Sequence, residues 1–338
     1  VRALNHNSVP TVFVSLASTS TLANIPATAA TTFTAVYTSS MSVAWSANGN
    51  PVGVTTYTVV LSTGFLPNTF SGNRTISTAP AGSLPTATVA GLLSNATYQL
   101  FIAAVNHGGL ATAYAALGST VTLANAPVSA VPTFSAVSNN AFIGAWDGNG
   151  NEAGTLYEAV ISTRQTFLDP DLVNVTVSTR PSGAPSAAFS TLGANTTYYL
   201  FARALSHAGL PTAYTALGAT VTLVNLPTTA VTTFTAVTSA SLTAEWSANG
   251  NGPGTEYSAA VSTSAPYPNS SAGNFVISTS PSGTPSADFA GLFANATYYF
   301  SVAAINRAGS PTAYVPLGST STLANIPVTV VTTFTAVY

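Results

Sequence analysis

Three times along this chain, the sequence contains a version of Met41-Ser42-Val43-Ala44-Trp45-Ser46-Ala47-Asn48-Gly49-Asn50. The other two versions surround Trp146 and Trp246, so successive tryptophans lie 101 and 100 residues apart. In each version apolar and polar residues alternate up to the tryptophan, which is typical of a half-buried β-strand, and an Asn-Gly pair then indicates a tight turn. A repeat of this length predicts an array of similar folded units.

The repeat predicts three full units and two partial ones. We expect the full units at 27–127, 128–227 and 228–327, the C-terminal part of a preceding unit at 1–26, and the first strand of a following unit at 328–338. Because Val1–Tyr37 matches Val302–Tyr338, we interpret the chain as a window from a longer array, or as a subunit whose end strands are completed by neighbours. Isolated strands are unstable in water, so we predict that strands in Val1–Leu22 and Thr332–Tyr338 pair with other copies.

Each full unit contains about seven short alternating segments separated by turn residues, with no helical period. In the first unit we expect strands at these places: Thr31–Tyr37, Ser42–Trp45, Thr56–Thr63, one or two between Gly64 and Ser83, Ala87–Leu92, Asn95–Asn106 and Ser119–Leu123. This pattern predicts an all-β fold of tandem seven-stranded antiparallel β-sandwiches. We expect Trp45, Trp146 and Trp246 to lie in the cores of the three units.

Composition excludes several classes of function. Only 4% of the residues are charged, the net charge is -2 and lysine is missing, so the chain offers no electrostatic surface for nucleic acid. There is no cysteine, which excludes disulfides and thiolate metal sites. No apolar run approaches the length of about 18 residues that a spanning helix needs, so we predict no membrane span in this segment. With 46% hydrophobic residues, the chain is expected to fold rather than to be disordered.

The joins between units are short. The segment Thr122-Leu123-Ala124-Asn125-Ala126-Pro127 runs from the last strand of one unit into the next, and its equivalents begin at Thr222 and Thr322. A flexible tether would be longer and rich in Gly and Ser. Proline fixes its own backbone angle and favours extended geometry in the residue before it. We therefore expect a semi-rigid rod.

The units resemble fibronectin type III domains. The resemblance rests on a Trp in the second strand, a Tyr in the third, the sequence Gly91-Leu92-x-x-Asn95-x-Thr97-Tyr98, and a sixth strand ending Ala104-Val105-Asn106. The chain departs from the family pattern in its very low charge, in Asn where the family often has Gly, and in an extended segment before the fifth strand. The resemblance implies tandem β-sandwiches of an extracellular or cell-surface repeat protein, and it says little about chemistry.

No set of residues predicts catalysis, a cofactor or a metal. His6, His107 and His207 occupy equivalent loop positions in successive units, with Arg307 in the last, so they cannot assemble one site. The segment Asp147–Glu152 faintly resembles a calcium loop, but its counterparts lack the carboxylates, and Asn-Gly is better explained as a turn. We predict that the chain is not an enzyme.

One motif does recur in matching places. Two Asn-x-Ser/Thr acceptors for N-linked glycans occur in each full unit: Asn73, Asn95, Asn174, Asn195, Asn269 and Asn295. Those of one set precede the sixth strand, where the Asn and Thr side chains also satisfy a turn. The other set lies in the variable segment. If the acceptors are used, their amides must be exposed, and attached glycans would help to keep an almost uncharged protein in solution.

Three functions fit the sequence. The first is a non-catalytic structural segment of an extracellular filament, stalk or sheath, whose partners are copies of itself or adjacent repeats, with covalently attached glycans. The second is an adhesin or carbohydrate-binding module that uses loops or tyrosines such as Tyr114, Tyr214 and Tyr314. The third is a spacer within a larger secreted enzyme. Equivalent contact residues at every join favour the first, whereas variable loops favour the second.

Overall fold

The computed structural model describes residues 1–65, 73–79, 84–166, 175–179, 184–279 and 284–328. Within these residues the regular secondary structure consists of strands that form antiparallel sheets, which confirms the predicted all-β fold. In the described part of the chain, no helix has the length and apolarity needed to span a membrane.

Each full unit contains seven strands in the same order. In the first unit they are β1 (Ala27–Val36), β2 (Ser40–Ser46), β3 (Thr56–Ser62), β4 (Arg74–Thr78), β5 (Thr86–Ala90), β6 (Thr97–Val105) and β7 (Ala115–Val121). In the second they are β8 (Val128–Ser135), β9 (Phe142–Asp147), β10 (Leu156–Ser162), β11 (Val175–Thr179), β12 (Ser186–Phe189), β13 (Thr197–Leu205) and β14 (Thr215–Val221). In the third they are β15 (Thr228–Thr235), β16 (Ser241–Ser247), β17 (Glu256–Ser262), β18 (Phe275–Thr279), β19 (Ser286–Ala290), β20 (Thr297–Ile305) and β21 (Val315–Ser321).

The seven strands of a unit form two sheets. In the first unit one sheet has the order β1-β2-β5 and the other has the order β4-β3-β6-β7. The second and third units repeat this arrangement as β8-β9-β12 with β11-β10-β13-β14, and as β15-β16-β19 with β18-β17-β20-β21. Each unit is therefore a sandwich of a three-stranded and a four-stranded antiparallel sheet.

The core of each unit lies between its two sheets and is built by strand alternation. In β6, Tyr98, Leu100, Ile102 and Ala104 are fully buried and belong to one cluster. The cluster also contains Trp45, which packs edge-to-face on Tyr57 with ring centroids 5.3 Å apart. The second and third units place the equivalent Trp and Tyr in the same contact. The predicted burial of all three tryptophans is confirmed, since each is 0% exposed.

The strand boundaries differ from the sequence prediction most at the starts of the first and seventh strands. The seventh strand begins at Ala115, not at Ser119, because pairing with β6 continues across an irregularity near Gly118, where φ is 114°. The first strand begins at Ala27, not at Thr31, because Ala27 and Thr28 already pair with Ser46 and Trp45 before a bulge.

Pairing of strands in Val1–Leu22 with other copies stays a prediction, because the structure describes a single chain. Within this segment the structure shows a hairpin closed by an isolated bridge between Leu4 and Pro10, and its apolar side chains, such as Phe13, are exposed. A hairpin without a neighbouring strand to extend its ladder makes few of the contacts that stabilise a sheet. The predicted strand at Thr332–Tyr338 lies outside the described residues.

Candidate functional site: the joins between units

The short segment that enters each unit is held by asparagine side chains. At the first join, the Asn125 backbone N–H donates to Asn151 Oδ1 at 2.7 Å, and Asn151 Nδ2 donates back to the Asn125 carbonyl at 2.9 Å. Asn149 Nδ2 donates to the Ala126 carbonyl at 3.0 Å. These bonds fasten the segment to the turn that follows the tryptophan strand. We call this set of three asparagines the clasp.

The clasp is repeated at every entry to a unit. Asn24, Asn48 and Asn50 form it on the first unit, with Asn24 N–H donating to Asn50 Oδ1 at 2.7 Å. The same bonds recur at the third unit among Asn225, Asn249 and Asn251, at 2.7–3.0 Å. The Asn-Gly turn is thus confirmed, with Asn48 and Gly49 at φ of 52° and 81°, and its side chains also hold the entering chain.

A second contact connects one unit directly to the next. Asn95, in the turn before β6, is 0% exposed because the second unit covers it. Its Nδ2 donates to Thr155 Oγ1 at 2.8 Å, and its Oδ1 accepts the backbone N–H of His207 at 2.6 Å. Beside it, the Glu152 N–H donates to the Ser94 carbonyl at 3.1 Å. We call Asn95, Thr155 and the His207 N–H the latch.

The second join has the same latch. Asn195 is also 0% exposed, its Nδ2 donates to Thr255 Oγ1 at 2.9 Å, and its Oδ1 accepts the Arg307 N–H at 2.8 Å. Because only a backbone N–H is used at this position, histidine in one unit and arginine in the next serve equally well. The recurring His/Arg position therefore contributes its main chain to each join.

Local sequence explains why an asparagine occupies this turn. Asn95, Asn195 and Asn295 have φ of 55°, 48° and 53°, in the left-handed region that Asn tolerates better than most residues. The Asn95 backbone N–H donates to the Leu123 carbonyl at 3.1 Å, which ties the turn to the end of the unit. This geometry points the side chain towards the next unit.

The structure places the six glycan acceptors in different environments. The expectation of exposed amides is wrong for Asn95 and Asn195, because the latch buries both. Asn295 is exposed, and Asn73 is half-buried. Asn269 is also half-buried, and its Nδ2 donates to oxygens of Ser262, Ser264 and Pro266. Asn174 lies outside the described residues.

The remaining candidate residues do not come together. Within the described residues, no group of three or more His, Cys, Asp or Glu side chains is placed to hold a metal ion. Tyr114 is 46% exposed, whereas Tyr214 packs under Arg203 at 4.6 Å and Tyr314 packs against Tyr267 at 4.7 Å. The three tyrosines therefore do not present one repeated surface.

The second unit has a cleft of about 510 Å³ beside its tryptophan strand. Its lining includes Asp147, Glu152 and Tyr157, from the turn and the strand that follow Trp146. Burial raises the pKa of the Tyr157 hydroxyl, and the nearby Asp147 carboxylate raises it further, while hydrogen bonds from Asn151 and Thr155 oppose the shift. The two carboxylates and the neutral hydroxyl can accept hydrogen bonds from donor groups of a polar ligand.

Sequence reasoning missed the latch. It assigned Asn95 to a turn or to a glycan, because its partner Thr155 is 60 residues away and His207 is 112 residues away. One signal was present in the sequence. Each unit has an Asn before its sixth strand and a Thr before its third strand, and both residues recur at the same interval along the chain.

Comparisons with known proteins give a family model for part of the chain and similar solved structures. Residues 227–317, within the third unit, match the family model for the fibronectin type III domain. The chain is similar to the FN1–FN3 domains of chicken CNTN1, with 16% identity, a TM-score of 0.29, and coverage of 87% of this chain and 98% of that one. It is also similar to a two-domain fibronectin type III segment of chicken tenascin, with 13% identity, a TM-score of 0.38, and coverage of 57% and 99%. The search of curated proteins found no match.

Proposed function

We propose that this chain of tandem fibronectin type III-like domains is a non-catalytic structural segment of an extracellular filament, stalk or sheath, in which direct contacts between domains fix the geometry. The matched family model and the shared strand order of all three units support the domain assignment. Domains of this family often act as structural or adhesion spacers and are common in extracellular or cell-surface proteins.

The observation that carries the proposal is the repetition of the joins. The same buried asparagine connects the first unit to the second and the second to the third, and the same clasp holds the entering chain at all three units. Equivalent residues at every contact are what a repetitive assembly requires, because each unit then sets the orientation of the next.

Low charge fits the same role. A surface with few like charges allows closely spaced copies to approach without strong repulsion, and little electrostatic steering of a charged ligand is available. The partners that we propose are adjacent repeats and further copies of the chain.

Small-angle X-ray scattering of the chain and electron microscopy of its natural assembly test this proposal. We expect an elongated particle with restricted bending in solution and a regular filament or sheath in the natural material. A particle whose units move independently, together with material that lacks any regular repeat, would reject the structural role.

A binding function has support from one observation, the cleft lined by Asp147, Glu152 and Tyr157. It lies in one unit and uses carboxylates that the other units lack, as a specific binding site would. Screening the chain against saccharides tests this alternative, with Asp147→Asn and Glu152→Gln together as the variant that must lose binding.

A further inference from the structure

We propose that Asn48, Asn149 and Asn249 are sites of spontaneous deamidation, at which loss of the side-chain amide also unfastens the clasp. The co-reactant is water, and the products are ammonia and an aspartyl or isoaspartyl residue. Each full unit has one such site, in the turn that receives the entering segment. The inference goes beyond the proposed structural function and does not depend on it, because the reaction needs only the turn and water.

The sequence of the turn favours this reaction. Deamidation meets the least steric hindrance at Asn-Gly, because glycine has no side chain beside the attacking backbone nitrogen. The chain contains four such pairs: Asn48-Gly49, Asn149-Gly150, Asn249-Gly250 and Asn251-Gly252. The first three occupy equivalent positions, their asparagines have φ of 52°, 55° and 52°, and both residues of each pair are exposed.

The chemistry can be followed at Asn149. The Gly150 nitrogen loses its proton to hydroxide and attacks Asn149 Cγ, which forms a five-membered ring. The Cγ–Nδ2 bond breaks, and Nδ2 leaves as ammonia after taking a proton from water, which restores the hydroxide. Water then opens the succinimide ring. Opening at Cγ gives aspartate, and opening at the main-chain carbonyl gives isoaspartate, so that overall one water is consumed and one ammonia is released.

The atom that leaves is the atom that the clasp uses. Asn149 Nδ2 donates to the Ala126 carbonyl at 3.0 Å, and the other two units have the same bond, from Asn48 to Ile25 at 2.9 Å and from Asn249 to Leu226 at 3.0 Å. A carboxylate has no proton to donate, and its negative oxygen would face the carbonyl oxygen. Deamidation therefore replaces an attractive contact with a repulsive one.

The fold also restrains the reaction, because Cγ must turn towards the glycine nitrogen while Nδ2 is held by the entering segment. The third unit offers a comparison within one turn. In the described part of the chain, the Asn249 side chain makes one hydrogen bond. Asn251 is half-buried, its Oδ1 accepts the Asn225 N–H at 2.7 Å, and its Nδ2 donates to the Asn225 carbonyl at 2.9 Å. We therefore expect Asn249 to react before Asn251.

The experiment incubates the whole chain in mildly alkaline buffer, below the pH at which tyrosines ionise, beside a sample unfolded in denaturant. Peptide mapping by mass spectrometry measures conversion at each asparagine, and fragmentation distinguishes aspartate from isoaspartate. In the folded chain, Asn48, Asn149 and Asn249 should convert about tenfold more slowly than in denaturant, and Asn251 more slowly still. In denaturant all four pairs should convert at similar rates.

One variant tests whether the clasp restrains the reaction. Asn151→Ala removes both hydrogen bonds to the Asn125 main chain but keeps Asn149-Gly150. Deamidation of Asn149 should then become about tenfold faster, with Asn48 and Asn249 of the same chain as internal controls. Hydrogen exchange of the β9 amides shows whether the second unit of this variant is still folded.

A second variant, Asn149→Asp, reproduces the product directly. The Asn125 amide belongs to the entering segment, and its hydrogen exchange should become about tenfold faster in this variant. The Asn225 amide, at the clasp of the third unit, should be unchanged. Asn249→Asp is the matched control and should have the opposite pattern.

The inference would be overturned by a folded chain in which Asn251 converts as fast as Asn249, or in which neither converts while the unfolded sample is consumed. Equal protection of the Asn125 amide before and after Asn149→Asp would show that Nδ2 does not fasten the entering segment. An unchanged deamidation rate of Asn149 in the folded Asn151→Ala variant would show that the clasp does not restrain the reaction.

Discussion

Gly144 shows how the three cores remain equivalent in shape while their residues differ. A Cβ at Gly144 would lie 2.7 Å from Leu200 Cδ2 and 3.5 Å from Phe189 Cε2. The equivalent residue is Val43 in the first unit, where Val89 takes the place of Phe189, so a small residue in one strand offsets a large one in its neighbour.

Gly144→Val is expected to overpack the second unit. Leu200 is fully buried and has no free volume to enter, so the substitution should lower the stability of this unit by about 1–3 kcal/mol. Hydrogen exchange of amides in β9 and β13 measures the effect, with the equivalent strands of the first and third units as internal controls. Unchanged protection in β9 and β13 would contradict the packing argument.

Buried tyrosines should make the units sensitive to alkali. Burial raises the pKa of the Tyr57, Tyr157 and Tyr257 hydroxyls, against hydrogen bonds from Asn50, Asn151 and Asn251 that lower it. The folded state therefore holds these protons more tightly than the unfolded state. Their contribution to stability is fully present below the ordinary tyrosine pKa of about 10 and is lost as the pH rises through the raised folded-state pKa values.

Parallel titrations of circular dichroism and tyrosinate absorbance between about pH 8 and 12 test this expectation. The tyrosinate signal of Tyr57, Tyr157 and Tyr257 should appear above the ordinary tyrosine pKa, together with loss of sheet structure. Ionisation of every tyrosine near its ordinary pKa with the fold intact would show that the hydroxyls are not enclosed as described.

At the scale of single elements, one threonine ties the turn before the sixth strand to the end of the seventh. Thr122 is 0% exposed, its Oγ1 donates to the Leu93 carbonyl at 2.7 Å, and it accepts the Ala96 N–H at 2.9 Å. Thr222 and Thr322 make the same pair of bonds. This element therefore keeps Asn95 and its equivalents in position for the joins.

Thr122→Val should cost the first unit about 1–3 kcal/mol. The isosteric change keeps the side-chain volume but leaves the buried Ala96 N–H and the part-buried Leu93 carbonyl without their hydroxyl partner. Thr122→Ser, which keeps the hydroxyl, is the matched control and should cost less. Thermal unfolding and exchange of the Ala96 amide measure both variants, and equal stability of the Val and Ser variants would remove the assigned role of the hydroxyl.

The sequence predicted elements well where the determining interactions are local. The alternating start and the apolar run of Thr97–Val105 were enough to identify a strand, although Phe101 and Ala103 on the other face are buried as well. Pairing of strands in Val1–Leu22 depends on another copy of the chain, so it stays a prediction. Local alternation also gave no sign that Asn95 is buried at a join, because this environment depends on two loops of another unit that no local pattern specifies.

At the scale of the whole molecule, the proposed structural role requires that the latch restricts motion between units. The proline-containing segment limits bending locally. The clasp fastens that segment to the unit it enters, and Asn125 Nδ2 also donates to Ser94 Oγ of the preceding unit at 2.8 Å. Direct contact between two units is made by the latch and the adjoining bond from Glu152 to Ser94. Removing the Asn95 side chain should therefore widen the range of orientations at the first join.

Asn95→Gly isolates this side chain, because glycine accepts the positive φ that alanine would resist. The substitution leaves the buried Thr155 Oγ1 and the part-buried His207 N–H without their cross-unit partner, at a cost of about 1–3 kcal/mol for the buried hydroxyl. Asn195→Gly is the matched control, since it acts on the second join alone.

The most direct measurement is the distance distribution between spin labels across the first join, by double electron–electron resonance. The chain has no cysteine, so Ser119→Cys and Ala219→Cys provide two unique exposed sites at equivalent positions of adjacent units. We predict one narrow distribution for the otherwise unchanged chain, a clearly broader one with Asn95→Gly, and no change with Asn195→Gly. A broad distribution in the unchanged chain, or a narrow one that survives Asn95→Gly, would contradict the claim that buried asparagines hold these domains in a fixed array.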